Sequence, residues 1–292
     1  MKTLVISGAT GLLGSRIVED LSQDYETHAL VRKVPMQPIP HVVYHVADLA
    51  RGDISGLPRR TDAVIHLAQS AHMREFPVNA NDIFKVNTAS TASMLDYASR
   101  SDASHFVLAS TGGLYGSVAG AIVEDSPLNS ANGNLQYYFS SKRCAELLAE
   151  CYASRFNVVV LRPFFIYGER QKLTMLVPRL INNILLGNAI ELRGENGTAM
   201  NPIYVADAAE AVIASLKLKG FHQINLAGPE ITTIRRMAED IGSSYSISPK
   251  FSHQSGPADE IVADISRMCA LLVPPKTSFS IGLASMRRAS NR

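Results

Sequence analysis

In the first half of the chain, short apolar runs rich in Val and Ile alternate with longer mixed stretches: TLVIS, THALVR, HVVYHVA, AVIHLA, HFVLAS and VVVLRP follow one another between residues 3 and 163. Runs of this length, apolar on both faces and spaced by helix-length segments, predict the strands of a parallel sheet covered on both sides. The spacers supply the cover. Leu13, Ile17 and Leu21 repeat at i, i+4 and i+8, and Ile83, Val86, Met94 and Ala98 mark the apolar stripe of a second helix. The pattern predicts an α/β fold on a doubly wound parallel sheet, with no internal repeat and no low-complexity linker dividing it.

Beyond Arg162 the elements shorten and Pro and Gly punctuate them. The pattern predicts a helix over 174–186, a strand at PIYV, a helix over 207–218, a strand at HQINLA, a helix over 232–241 and then an irregular tail. This predicts a main lobe of residues 1–165, to which 201–227 returns, and a small lobe of 166–200 and 228–292. Ligands of such sheets bind beyond the carboxyl ends of the strands, where a small lobe would close over them.

Composition narrows the class without choosing a function. The 292 residues are 46% hydrophobic and 18% charged, as in an ordinary folded chain. The net charge is +2, and Lys and Arg are scattered apart from short pairs such as Arg59-Arg60, Arg235-Arg236 and Arg287-Arg288. No basic stripe tracks a nucleic-acid backbone, so nucleic acid is not an expected partner. No apolar run approaches roughly 18 residues, and MKTLVISGAT reaches glycine after one strand's length. Neither a membrane span nor a secretory signal is expected, and the expected location is the cytoplasm. Cys144, Cys151 and Cys269 contain no C-x-x-C pair; they are expected to be buried reduced thiols rather than a disulfide frame or a zinc site, and no metal is expected.

The first chemical signal is SGATGLLG, which places Gly8, Gly11 and Gly14 at intervals of three between the first run and the first helix. Glycines serve such a turn in three ways: a tight bend, close approach of backbone to a pyrophosphate, and close packing of helix on strand. The N–H groups of the helix start, at Leu12 and Leu13, would face the phosphates. Thr10 stands where the dinucleotide fingerprint G-x-G-x-x-G has its second glycine, so a plain glycine-rich corner is the alternative. The second strand ends in Val31-Arg32-Lys33, with no acid to bond a ribose 2′-hydroxyl; an Arg there suits a 2′-phosphate and favours NADP over NAD. Asp48-Leu49, closing the third strand, would meet the adenine, or Asp48 would simply start a helix.

The second signal is YYFSSKRCAELL, where Tyr138 and Lys142 lie one helical turn apart on one face. A neighbouring ammonium favours the phenolate and lowers the phenol's pKa, which suits Tyr138 to acid–base work. In FVLASTGGLYG a buried strand delivers Ser110 and Thr111 to its carboxyl end, where a hydroxyl would hold a substrate oxygen against the Tyr. Thr111 is the choice and Ser110 the alternative.

Together these motifs resemble the extended short-chain dehydrogenase/reductases of the NAD-dependent epimerase/dehydratase family. SGATGLLG, ADL, VIHLAQSA, VNTASTASMLDYA, STGGLYG, YFSSK, LRPFFIYG, NPIYVADAAEAV and the terminal ADISRMCALLVPPKTSFSIGLASMRR follow in the family's order. The resemblance implies a Rossmann lobe with a small C-terminal substrate lobe, a nicotinamide cofactor, a nucleotide-sugar substrate and a homodimer. It further implies that Tyr138 is the acid–base group, that Lys142 also holds the nicotinamide ribose and that Thr111 orients the substrate. Gly8, Gly11 and Gly14 would hold the pyrophosphate, Asp48 and Leu49 would line the adenine site, Leu67 and Ala68 would pass beside the cofactor, and Asn87 would sit near Lys142 or else be a solvated mid-helix polar residue. His66 reads as a packed strand-end residue.

Three departures from the family pattern bear on the reaction. Family dehydratases carry Asp-Glu directly after the catalytic Thr, where this chain has Gly112-Gly113; dehydration is therefore disfavoured. Phe165 stands where many sugar-nucleotide members have Asn, and Met200 where they have Arg, the pair that commonly helps hold the substrate's diphosphate. Lys172, Arg179 or Arg193 could compensate, a solvated surface role being their default reading. The leading expectation is an epimerase acting at a carbinol carbon of a nucleotide-activated sugar. An NADPH-dependent keto-sugar reductase comes next, and a non-catalytic NADP-binding regulatory protein after it.

Overall fold

The computed structural model describes residues 1–21, 23–118, 120–129 and 133–290. The apolar runs form β1 (Lys2–Ser7), β2 (Tyr25–Val31), β3 (Val42–Val46), β4 (Ala63–His66), β5 (His105–Ala109) and β6 (Asn157–Pro163). After β7 (Ala189–Arg193) and β8 (Ala199–Met200), β9 (Phe221–Leu226) completes the main sheet. Its order is β3-β2-β1-β4-β5-β6-β9 and every pairing is parallel. The winding reverses between β1 and β4, so the crevice beyond their carboxyl ends, after Ser7 and His66, is where this architecture takes ligands.

Strand periodicity explains the two faces. Leu4 and Ile6 of β1, Ile65 of β4, Val107 of β5 and Val159 of β6 join one buried cluster with α1 (Leu12–Leu21) and, further along the chain, the helix Val205–Ser215. The alternate residues Val5, Val64, Phe106, Leu108 and Val160 join a second cluster on the opposite face. That face is covered by the long helical segment α2 (Ala80–Phe84), π turn Lys85–Ala89 and α3 (Ser90–Arg100), and by α4 (Gln136–Cys151). The doubly wound Rossmann-type sheet expected from the sequence is the sheet found.

The remaining elements are α5 (Leu176–Leu185), α6 (Val205–Ser215), β10 (Thr232–Thr233), α7 (Ile234–Tyr245), β11 (Lys250–Gln254), β12 (Glu260–Ile261), α8 (Ser266–Leu271) and α9 (Phe279–Ser290). A third cluster gathers α5, α7, β7 and α9 around Tyr167, whose ring centroid lies 5.2 Å from that of Phe279. Two expectations change here. PIYV is not a strand: Tyr204 makes a single bridge to Tyr167 and α6 begins at Val205. The tail is not irregular either; α9 is helical although FSIGLASMRRAS is weakly patterned, because Gly282 lets it lie against the Tyr167 ring. Asp207 clasps the approach to α9, its Oδ2 accepting from the N–H groups of Lys276 (3.0 Å) and Thr277 (2.7 Å) and its Oδ1 from the Thr277 hydroxyl (2.9 Å).

The three cysteines are exposed and free, contrary to the expected burial. On α4 the inward face is taken by Tyr138, Ser141, Lys142, Ala145, Glu146 and Ala149, which leaves Cys144 and Cys151 on the outward one. Among the described residues no helix is long and apolar enough to cross a membrane.

Candidate active site

The glycine turn is as tight as its sequence suggests. Gly8 has φ of +70°, and a Cβ there would stand 2.9 Å from the backbone N of Ala68, at the end of β4. A Cβ on Gly14 would meet the Gly8 carbonyl, its carbon at 2.8 Å, so this glycine is what lets α1 start directly against the strand. Gly11 N–H donates to Gly8 O at 2.9 Å and closes the bend. The side chains of Leu12 and Leu13 pack inward against the core clusters; only their backbone N–H groups are in play for a phosphate. A cradle that any side chain would fill, at a helix N-terminus with Leu67 and Ala68 as its far wall, fits a dinucleotide pyrophosphate.

Beside the turn, an open cavity of about 530 Å³ is lined by Thr10, Arg32, Lys33, Val34, Pro35 and Met36. Arg32 and Lys33 are exposed and make no ion pair among the described residues. Asp48 caps the short turn Leu49–Arg51 through a 3.0 Å bond from Ala50 N–H, and Leu49 packs partly against the second cluster.

Tyr138, Lys142 and Thr111 meet at the carboxyl end of β5. Tyr138 is 6% exposed and Lys142 2%. Lys142 Nζ donates to Ala109 O at 2.8 Å, tying α4 to the last residue of the strand that presents Thr111. The Thr111 hydroxyl accepts from Gly113 N–H at 3.1 Å and also lies against the Tyr138 phenol. Ser110, the alternative to Thr111, is buried, and its Oγ has no partner among the described residues. The electrostatics differ from the sequence expectation. Burial pushes the Tyr138 phenol up to about 12, with the Thr111 hydroxyl acting in the opposite direction, and burial brings the Lys142 amine down to about 8 against the pull of Glu146. Desolvation disfavours both charged forms and here outweighs any help from one to the other.

Asn87 lies inside the π turn Lys85–Ala89 and is 1% exposed. It is not solvated: Oδ1 accepts from Ser70 N–H (2.9 Å) and Nδ2 donates to Ser141 Oγ (2.9 Å). The π turn had no sequence signal; such turns often sit at functional sites. Gln69 was also missed, although it stands within VIHLAQSA: the Tyr138 phenol donates to its Oε1 at 3.0 Å.

His66 is packed as expected, with Nδ1 2.6 Å from Ser7 Oγ and Nε2 3.2 Å from Ser90 Oγ. Burial, with Lys142 adding to it, brings the imidazole down to about 3. The unfolded chain protonates this residue near its ordinary value, so stability falls as pH drops from there toward about 3. His66→Gln is expected to flatten that loss by up to about 1.4 kcal/mol per pH unit, read from denaturant midpoints between pH 7 and pH 4. An unchanged slope would contradict this.

The departures from the family pattern also have places. A Cβ at Gly112 would run into the Phe164 ring and one at Gly113 into the Phe139 ring. Phe165 holds φ of +46°, which bulky residues rarely adopt, with its ring packed between two clusters. Met200 is 2% exposed. Lys172 and Arg179 are exposed, and Arg193 lies on β7, its Nε 3.4 Å from Gln254 Oε1.

A family model described as the NAD dependent epimerase/dehydratase family matches residues 4–227. A Bacillus subtilis (strain 168) protein named uncharacterized UDP-glucose epimerase YtcB is 26% identical, over 97% of this chain and 96% of its own. The dTDP-glucose 4,6-dehydratase of Streptomyces griseus is 29% identical over 72% of this chain and 68% of its own. UDP-glucuronic acid 4-epimerase from Bacillus cereus, solved in complex with NAD, superposes with a TM-score of 0.87 over 100% of this chain and 99% of its own. At 23% identity this last likeness speaks for the fold.

Proposed function

The chain belongs to the NAD-dependent epimerase/dehydratase family, and from that membership we propose an enzyme that inverts a carbinol carbon of a nucleotide-activated sugar. The observation that carries the reading is the meeting of Tyr138, Lys142 and Thr111, joined to the glycine cradle by one loop: its Leu67 and Ala68 back onto Gly8 and its Gln69 accepts from the Tyr138 phenol. When bound, a nicotinamide dinucleotide supplies a hydride acceptor and donor, so that such a carbon can be oxidised and then reduced on its other face. The protein's part is the proton. Once its own proton has gone to solvent, the Tyr138 phenolate takes the proton of the substrate hydroxyl and later gives it back; Thr111 holds the oxygen, and Lys142, when charged, favours that phenolate and holds the nicotinamide ribose. The UDP-sugar epimerases among the relatives and neighbours support a UDP-sugar substrate, with C4 the first carbon to test.

Gly112 and Gly113 favour epimerisation over dehydration. With Phe164 and Phe139 filling the space beside them, neither position has room for the carboxylate and carboxylic acid that removal of water would use. A one-way reduction would use the same three residues and consume NADPH. The outward Cys144, Leu147 and Cys151 on α4 support pairing of two copies of this chain through that helix.

The choice of dinucleotide rests on Arg32 and Lys33. Their charges beside Thr10, without an ion pair among the described residues, support NADP, whereas the Bacillus cereus neighbour was solved with NAD. If a 2′-phosphate is bound here, Arg32→Ala should weaken NADP binding by about tenfold or more and leave NAD binding unchanged. Calorimetric titration with each dinucleotide decides it; an equal or absent effect on both would assign the site to NAD. Mass identification of any nucleotide released from the purified protein is the companion measurement.

A further inference from the structure

Gln69 faces the reacting group from the opposite wall of the cleft. It is exposed on the loop leaving β4, yet its Oε1 sits 3.0 Å from the Tyr138 phenol and accepts a hydrogen bond from it. The backbone on both sides of it is pinned. Leu67 N–H donates to Ser7 O (3.2 Å), Ala68 N–H to Ser7 Oγ (3.3 Å) and Ser70 N–H to Asn87 Oδ1 (2.9 Å). His72 N–H donates to Ser70 Oγ (3.1 Å), whose own proton goes to Asp82. The Tyr138 side is fixed to the same anchor: Asn87 Nδ2 donates to Ser141 Oγ (2.9 Å), and Ser141 Oγ to Tyr138 O (2.7 Å). One buried amide in the π turn therefore sets the gap between the loop and the first turns of α4. A side chain carried on so constrained a backbone reaches a defined point.

We infer that Gln69 is a positioning residue for Tyr138, its Oε1 standing where a substrate hydroxyl oxygen comes to lie and holding the phenol neutral and aimed until substrate displaces it. The inference rests on Tyr138 being the acid–base group. A carboxamide suits the task because its oxygen accepts from the phenol while its NH₂ remains able to donate to a substrate oxygen. The other groups around the phenol are Lys142 one turn along α4 with Glu146 beyond it, Thr111 from the end of β5, and Asp82 of α2, which reaches the loop through Ser70.

An acceptor on the neutral phenol favours that form, and a carboxylate in its place would favour it more strongly. The test is ¹³C NMR of protein labelled at the tyrosine ζ carbon, with the Tyr138 resonance assigned by its loss in Tyr138→Phe. In Gln69→Ala this resonance should titrate about one pH unit lower than in the unsubstituted protein, and in Gln69→Glu about one unit higher. Gln69 is exposed, so neither change disturbs packing. Equal midpoints, shifts in one common direction, or a resonance silent alike in all three proteins would overturn the inference. Turnover by Tyr138→Phe separates the two claims: retained turnover sinks the acid–base reading itself, whereas lost turnover with a resonance indifferent to Gln69 sinks only this one.

Discussion

Tyr138→Phe is expected to lower kcat/KM by about 10²–10⁴-fold, the usual worth of a positioned acid–base group, while the protein stays folded and still binds dinucleotide. The substitution removes one oxygen and its bond to Gln69 Oε1. The ring keeps its place beside Phe139, with centroids 5.5 Å apart. Stability should therefore change by no more than about 1.5 kcal/mol, the net worth of one hydrogen bond. Activity and binding part company in this prediction because the phenol handles a proton whereas the cradle at Gly8, Gly11 and Gly14 handles phosphates. Steady-state kinetics with a UDP-sugar, alongside calorimetric titration with dinucleotide, reads both. A variant that keeps its turnover, or one that loses turnover only because it no longer binds dinucleotide, would contradict the assignment.

Arg162→Met carries the largest expected effect on stability, a loss of about 3–5 kcal/mol. Arg162 is 2% exposed and Glu146 is fully buried. The guanidinium reaches both carboxylate oxygens of Glu146, at 2.9 and 2.7 Å, and the Tyr115 hydroxyl at 2.6 Å. Tyr115 in turn donates to Asn225 Oδ1 (2.9 Å), and Glu124 Oε1 accepts from Asn225 N–H (2.9 Å). This network joins β6, α4, the turn after Thr111 and β9. Without Arg162, Glu146 keeps among the described residues its ion pair with the partly exposed Arg143 at 3.0 Å and the more distant Lys142, and a buried charge is left short of hydrogen-bond partners. Glu146 also supports the charge on Lys142, so the damage extends to the site. Denaturant midpoints measure the loss, and the double variant Glu146→Leu with Arg162→Met should recover at least half of it, since removing both charges removes the desolvation penalty. A loss below about 1 kcal/mol would mean that the pair is no better than a surface bridge.

The sheet and its cover were legible because each strand carries apolar residues on both faces, and Leu4, Val5 and Ile6 illustrate why: alternate residues feed opposite clusters. That Tyr138, Lys142 and Thr111 come together at one strand end was legible for a related reason, since helix spacing and strand ends are local features. The C-terminal tail was not. Its α9 owes its place to Tyr167 and to the Asp207 clasp, contacts that span 111 and 70 residues, and no local pattern encodes them. The π turn around Asn87 was not legible, because the apolar positions Ile83, Val86, Met94 and Ala98 also fit one continuous α-helix and no residue type marks where a turn widens. Gln69 was hidden by ordinariness: a glutamine after a strand says nothing until the phenol opposite it is placed. The phenol's raised pKa was misjudged because spacing reveals a neighbouring Lys but not the burial of both groups.

One measurement tests inversion of a UDP-sugar most directly. UDP-glucose and UDP-glucuronic acid are incubated in turn with the protein and catalytic amounts of NAD or NADP, and the sugar is followed by proton NMR while absorbance at 340 nm tracks the dinucleotide. The predicted result is inversion at one ring carbon of a UDP-sugar with no net change in absorbance, abolished by Tyr138→Phe. Stoichiometric loss of NADPH to a keto-sugar without inversion, or a dehydrated product, would contradict it.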